Sequence, residues 1–114
     1  MAYLEQTARL DGVFNGLRRN IAEKYGIATT LGYGPRFLHS TGQLHKGGPP
    51  TGIFLQITSD HPADIEIPGM PYTFGVVADA QALGDFEALR SLGRDIIRIH
   101  LKEGDTESLS RLLI

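Results

Sequence analysis

The sequence contains no cysteine, which excludes a disulfide framework, a thiolate metal site and a cysteine nucleophile together. It also lacks a Gly-x-Ser-x-Gly segment, the sharp turn that exposes the nucleophile of serine hydrolases, and its glycines match no Walker or dinucleotide fingerprint. No stretch approaches the roughly 18 to 20 consecutive apolar residues that span a bilayer, and no charged-then-apolar leader precedes a cleavage site. A surplus of positive charge is missing too. Lys and Arg number 11 against 13 Asp and Glu, for a net charge of -2 and a pI near 6.0. Electrostatic nucleic-acid binders need the opposite balance to displace counterions. These absences lead us to expect a soluble cytoplasmic protein with a small ligand and neither membrane nor nucleic acid as partner.

What is present suits one globular domain: 114 residues, 41% hydrophobic and 21% charged. No internal repeat, linker or low-complexity segment interrupts it. Leu10, Val13, Phe14, Leu17 and Ile21 recur at steps of three and four, which predicts a helix over 10–25 that Gly26 stops. Residues 27–31 read as a short strand running into the turn Gly32-Tyr33-Gly34-Pro35. Six glycines and three prolines between Gly32 and Gly52 predict an irregular loop. Within it, Ser40-Thr41-Gly42-Gln43 has the spacing of a capping box, at which a turn or two of helix begins.

Residues 52–58 form a compact apolar run, as in a strand buried on both faces. Residues 59–71 are a proline-rich surface excursion with a brief extended stretch at 65–67. A helix is predicted over 72–92, with Phe74, Val77, Ala80, Leu83, Leu89 and Leu92 as its apolar positions and Gly93 as its stop. A strand over 95–101 and a terminal helix over 106–114 complete the chain. Alternating helices and strands predict an α/β fold with a small, mostly parallel sheet and right-handed crossovers. Three strands leave exposed edges, so the sheet is expected to complete or abut a larger one.

In such folds ligands bind beyond the carboxyl ends of the strands. The loop after Leu31 gathers Arg36, His39, Ser40, Thr41, Gln43, His45 and Lys46 among glycines that let a ligand approach the backbone. A helix N-terminus with hydroxyls and an Arg suits a phosphate or sugar oxygen. An imidazole titrating near neutrality, such as that of His45, suits proton transfer to or from a sugar ring oxygen. Blander readings stay open at this point. His39 and His45 fit ordinary loop or capping roles, Lys46 a solvated one, and Arg36 a surface pair with Asp60 or Asp64. His61 is expected to face solvent, and His100 lies on a strand near Lys102 and Glu103. The six-residue spacing of His39 and His45 matches no short metal motif and no third ligand accompanies them, so no metal is expected.

The run Gly32-Tyr33-Gly34-Pro35-Arg36-Phe37-Leu38-His39-Ser40-Thr41-Gly42-Gln43-Leu44-His45-Lys46-Gly47-Gly48-Pro49 resembles the phosphoglucose isomerase part of bacterial transaldolase/phosphoglucose isomerase fusion proteins. Thr51-Gly52-Ile53-Phe54-Leu55-Gln56-Ile57-Thr58, Ile67-Pro68-Gly69, Tyr72-Thr73-Phe74-Gly75 and Gln81-Ala82-Leu83-Gly84-Asp85 continue it in order, so that it covers residues 2–101. The resemblance implies the later part of a sugar isomerase domain, a three-layer α/β/α sandwich. It implies metal-free and cofactor-free interconversion of glucose 6-phosphate and fructose 6-phosphate through a cis-enediol, with His45 assisting ring opening. Gln43 and Lys46 then orient substrate oxygens, and Arg36, His39, Ser40 and Thr41 contact the hexose phosphate or a partner subunit. The family's carboxylate base has no convincing counterpart here, Glu5 and Glu23 being poor candidates, and its phosphate loop lies in an earlier domain. The chain is thus expected to be an excised or truncated piece, inactive without the missing upstream domain and possibly a second subunit in a homodimer. The alternative is a sugar-phosphate binding or regulatory module without turnover.

Overall fold

The computed structural model describes every residue except Ser40, Glu103, Gly104, Leu113 and Ile114, and every side chain except these and those of Leu38, His39 and Thr41. In chain order the elements are β1 (Ala2–Tyr3), α1 (Ala8–Tyr25), a 3-10 turn (Arg36–His39), α2 (Thr41–Gly47), β2 (Ile53–Ser59), α3 (Phe74–Ser91), β3 (Asp95–Leu101) and α4 (Glu107–Ser110). The strands form one all-parallel sheet in the order β1-β2-β3, with Ala2 opposite Ile57 and Ile53 through Ser59 opposite Asp95 through Leu101. Among the described residues β3 is paired on one side only.

Alternation along the strands divides the side chains between two helical layers. Ala2, Ile57 and Leu101 point to one face, where Leu10, Phe14 and Leu17 of α1 and Leu109 of α4 bury them. Tyr3 points to the other, against Phe37 and Ala82, and Gln56 Nε2 donates to the Ala82 carbonyl of α3 at 2.8 Å. The result is the three-layer α/β/α arrangement expected from the sequence.

α1 begins two residues earlier than its apolar stripe because Thr7 Oγ1 accepts from Leu10 N at 3.1 Å. It ends at Gly26, whose φ of 66° only glycine adopts without strain and whose N–H reaches the Ala22 carbonyl. α3 is started by Thr73, whose hydroxyl accepts from Val76 N and donates to Asp64 Oδ2 at 2.6 Å. Asp64 also accepts from the N–H groups of Ile65 and Gly75, and these bonds hold its carboxyl below the usual carboxylate range. A Cβ on Gly75 would lie 2.5 Å from Asp64 Oδ2. Gly75→Ala is therefore expected to push the aspartate off the helix end and cost about 1–3 kcal/mol, read as a lower urea midpoint.

Several expectations are corrected. Residues 27–31 form no strand. The extended backbone lies just beyond them, where Gly32 O accepts from Ala2 N at 2.9 Å and Gly34 N donates to Ala2 O at 2.8 Å, leaving Tyr33 as an isolated bridge beside β1. Tyr33 then donates its hydroxyl to Asp11 Oδ1 at 2.7 Å, which ties this edge to α1. The terminal helix is a single turn as far as it is described, because Arg111 N and Leu112 N already bond three residues back. On α3 the expected apolar face is mostly exposed. Phe74, Leu83 and Leu92 face outward, while Gly75, Ala82, Asp85 and Leu89 turn inward. Small residues sit there because α3 approaches β2 closely enough for Gln56 to reach its backbone.

Candidate functional site

The loop flagged in the sequence folds onto the face of the sheet that carries Tyr3 and Gln56. Gly34 passes so close to two rings that a Cβ would stand 2.6 Å from Tyr3 Cε1 and 2.8 Å from Phe37 Cε1. The 3-10 turn buries Phe37, edge-on to Tyr3 with ring centroids 5.7 Å apart. α2 then sets His45 between two rings, 5.9 Å from Phe37 and 5.0 Å from Phe54 between centroids. His45 is half-buried, and its enclosed Nδ1 has no hydrogen-bond partner among the described residues.

Burial lowers the proton affinity of His45, with further lowering from the amino terminus and Lys46, against a raising effect of Asp85. Burial thus favours the neutral imidazole. A histidine with a depressed folded pKa contributes its stability above the ordinary value of about 6.5, and that contribution is lost as pH falls below it. Urea midpoints at pH 7.5 and 5.5 are thus expected to differ more for the wild type than for His45→Gln.

Lys46, next along α2, reaches Asp85 on α3 with Nζ 2.9 Å from Oδ1. Asp85 is 3% exposed, and its enclosed Oδ2 has no partner among the described residues. Arg94, just before β3, donates from Nη2 to the carbonyls of Lys46 at 3.1 Å and Gly48 at 2.7 Å, closing the C-terminus of α2. Burial also pushes the Tyr3 phenol up, helped by Asp85, so that it remains protonated.

Of the expected residues that are described, His45 and Lys46 lie in this layer, whereas Arg36 and Gln43 do not. Arg36 donates to Gln6 Oε1 at 2.8 Å, ahead of α1, and does so instead of pairing with Asp60 or Asp64. Gln43 is exposed on α2. Ser40, with its expected capping role, and the side chains of His39 and Thr41 lie outside the described residues. His61 does not simply face solvent: its Nε2 lies 2.7 Å from Asp79 Oδ1. His100 joins Thr58 Oγ1 at 2.9 Å to Asp60 Oδ1 at 2.8 Å through its two ring nitrogens. Among the described residues no group of three or more metal-ligating side chains is assembled.

The hollow at the carboxyl ends of the strands, about 530 Å³, is lined by Tyr3, Glu5, Asp60, His61, Asp64 and Thr106 among others, and His45 does not reach it. A second, about 520 Å³, lies against Arg18 and Arg19 of α1. The expected site is therefore on the flank of the sheet, under α2, and not at its end.

Asp85 is the member that reading for loop chemistry missed. Its signal is positional: it lies three residues after Ala82 and four before Leu89, on the inward stripe of α3, where a carboxylate must be paired. Its pairing with Lys46 removes it as a free general base.

No protein-family model and no curated protein matches the sequence. Among solved structures, a hypothetical protein from Thermus thermophilus is similar, with a TM-score of 0.76 and 21% identity over 99% of this chain. The chain spans 32% of the length of that structure. At this identity the likeness establishes the fold alone: a small α/β unit with a parallel sheet that recurs inside a longer chain. Among the described residues no helix is long and apolar enough to cross a membrane.

Proposed function

We propose that this chain is the histidine-bearing part of an aldose–ketose isomerase acting on glucose 6-phosphate and fructose 6-phosphate, incomplete without an upstream sugar isomerase domain and completed in a homodimer. The observation that carries the reading is His45, a half-buried imidazole whose neutral form burial favours and whose Nδ1 is enclosed, inside the segment that resembles the isomerase part of the fusion proteins. A neutral imidazole accepts the proton of the anomeric hydroxyl, and the imidazolium so formed returns it to the ring oxygen as the bond from the anomeric carbon to that oxygen breaks, which balances ring opening. In the family that this segment resembles the phosphate loop belongs to an earlier domain, and none of this chain's carboxylates is assigned the proton transfer between adjacent carbons. Exposed Gln43 and Arg36 are available to substrate oxygens or to the partner subunit.

The decisive experiment measures isomerase activity with fructose 6-phosphate for the chain alone and supplemented with the upstream domain. Activity is expected only on supplementation, and His45→Ala is expected to lower it by about 10²–10⁴-fold. Full activity of the His45→Ala protein would sink the reading. A second reading, a sugar-phosphate binding or regulatory module without turnover, is favoured by the position of His45 outside both hollows. Binding of the hexose phosphate without turnover after supplementation would select it.

A further inference from the structure

Asp85 has no part in the chemistry just described, yet it occupies an expensive position. The other buried residues of its stripe on α3, Gly75, Ala82 and Leu89, are small or apolar. A buried ion pair is no more stabilising than well-packed apolar residues of the same volume, so stability alone does not account for Asp85 and Lys46. What the pair holds is α2. That helix has seven residues, too few to persist without tertiary anchors. Lys46 is gripped twice, by Asp85 at its side chain and by Arg94 at its carbonyl, and His45 is its neighbour in sequence.

We propose that Asp85 is a positioning residue for His45: its buried carboxylate grips Lys46, so that α2 presents the imidazole in one place between Phe37 and Phe54 and beside one fixed negative charge. Its catalytic meaning rests on the isomerase reading above; its structural meaning does not. Among the described residues, the charged groups that act on the imidazole are Asp85 from α3, Lys46 on α2 and the amino terminus ahead of β1. Of these, Asp85 favours the protonated ring, whereas Lys46 and the amino terminus disfavour it.

That grip supplies its own test. If Asp85 holds α2, its loss frees the helix, and NOEs between the His45 and Phe54 rings, recorded on the whole labelled chain, are expected to weaken in Asp85→Asn. Burial is the largest influence on His45, so the freed helix is also expected to move its titration midpoint upward by NMR, against the smaller downward effect of losing the Asp85 charge. Unchanged NOEs, or a midpoint that falls, would mean that Asp85 acts on the ring by charge alone and would overturn the proposal. Should Asp85→Asn fail to fold, the apolar replacement Lys46→Met/Asp85→Leu decides: weakened NOEs between the His45 and Phe54 rings support it, and unchanged NOEs overturn it. In the supplemented isomerase, Asp85→Asn is expected to lower kcat by about tenfold to a hundredfold with KM little changed. If the supplemented wild type has no activity, the isomerase reading falls, and the midpoints and NOEs still judge Asp85.

Discussion

Lys46→Met is expected to destabilise the chain by about 3 kcal/mol, and Lys46→Met/Asp85→Leu to recover most of that loss. Methionine keeps much of the lysine stem but removes the Nζ that stands 2.9 Å from Asp85 Oδ1. It leaves behind a carboxylate in a 3% exposed residue, whose other oxygen already lacks a partner among the described residues. An uncompensated buried charge costs about 3–5 kcal/mol, and the low end applies because the lysine side chain is 38% exposed and water reaches part of the pair. The second substitution removes the stranded charge and refills its volume, so the two effects are far from additive. Urea denaturation of the two singles and the double measures the coupling directly. A single Lys46→Met that loses less than about 1 kcal/mol would place the pair among surface ion pairs.

The same pair shows how far the sequence could be read. The body and end of α1 follow from apolar residues at steps of three and four up to a glycine stop, signals that act within the helix itself, whereas its start at the Thr7 cap, two residues before the stripe, was not read. β2 and β3 were legible as β-rich runs between turn residues. β1 was not, because two residues carry no periodicity; pairing with Ile57 and Thr58 makes them a strand. Residues 27–31 have strand composition, but the hydrogen bonds to Ala2 are made by Gly32 and Gly34, residues chosen for close passage and not for β-propensity.

The inward face of α3 was misread for a related reason. Of its expected apolar positions Phe74, Leu83 and Leu92 are exposed and Leu89 is buried, and the rest of the sheet side is taken by Gly75, Ala82 and Asp85, whose small size or charge suits partners far away in sequence. Periodicity records spacing but not which face meets the core. At the site, residue types marked the loop of His45 and Lys46. The pairing with Asp85, 39 positions later than Lys46, depended on the packing of α2 on α3, to which no local signal corresponds.

Phe37→Ala and Phe14→Ala are expected to cost similar stability, about 3–5 kcal/mol each, and to differ in what they do to His45. Phe37 is 4% and Phe14 3% exposed, so each truncation opens a cavity of like size, but on opposite faces of the sheet. Phe37 stacks edge-on with Tyr3 and stands 5.9 Å from the His45 ring. Its loss admits water to the imidazole and relieves the burial that depresses its proton affinity, so the His45 midpoint should rise toward that of a free imidazole. Phe14 packs instead against Tyr33 and the α1 core, with ring centroids 6.0 Å apart, and its loss should leave that midpoint where it is. NMR titration of both variants beside their urea midpoints separates the two consequences. A rise in Phe14→Ala equal to that in Phe37→Ala would mean that His45 responds to global loosening; a rise confined to Phe37→Ala would locate the control of the imidazole in the aromatic layer beneath α2.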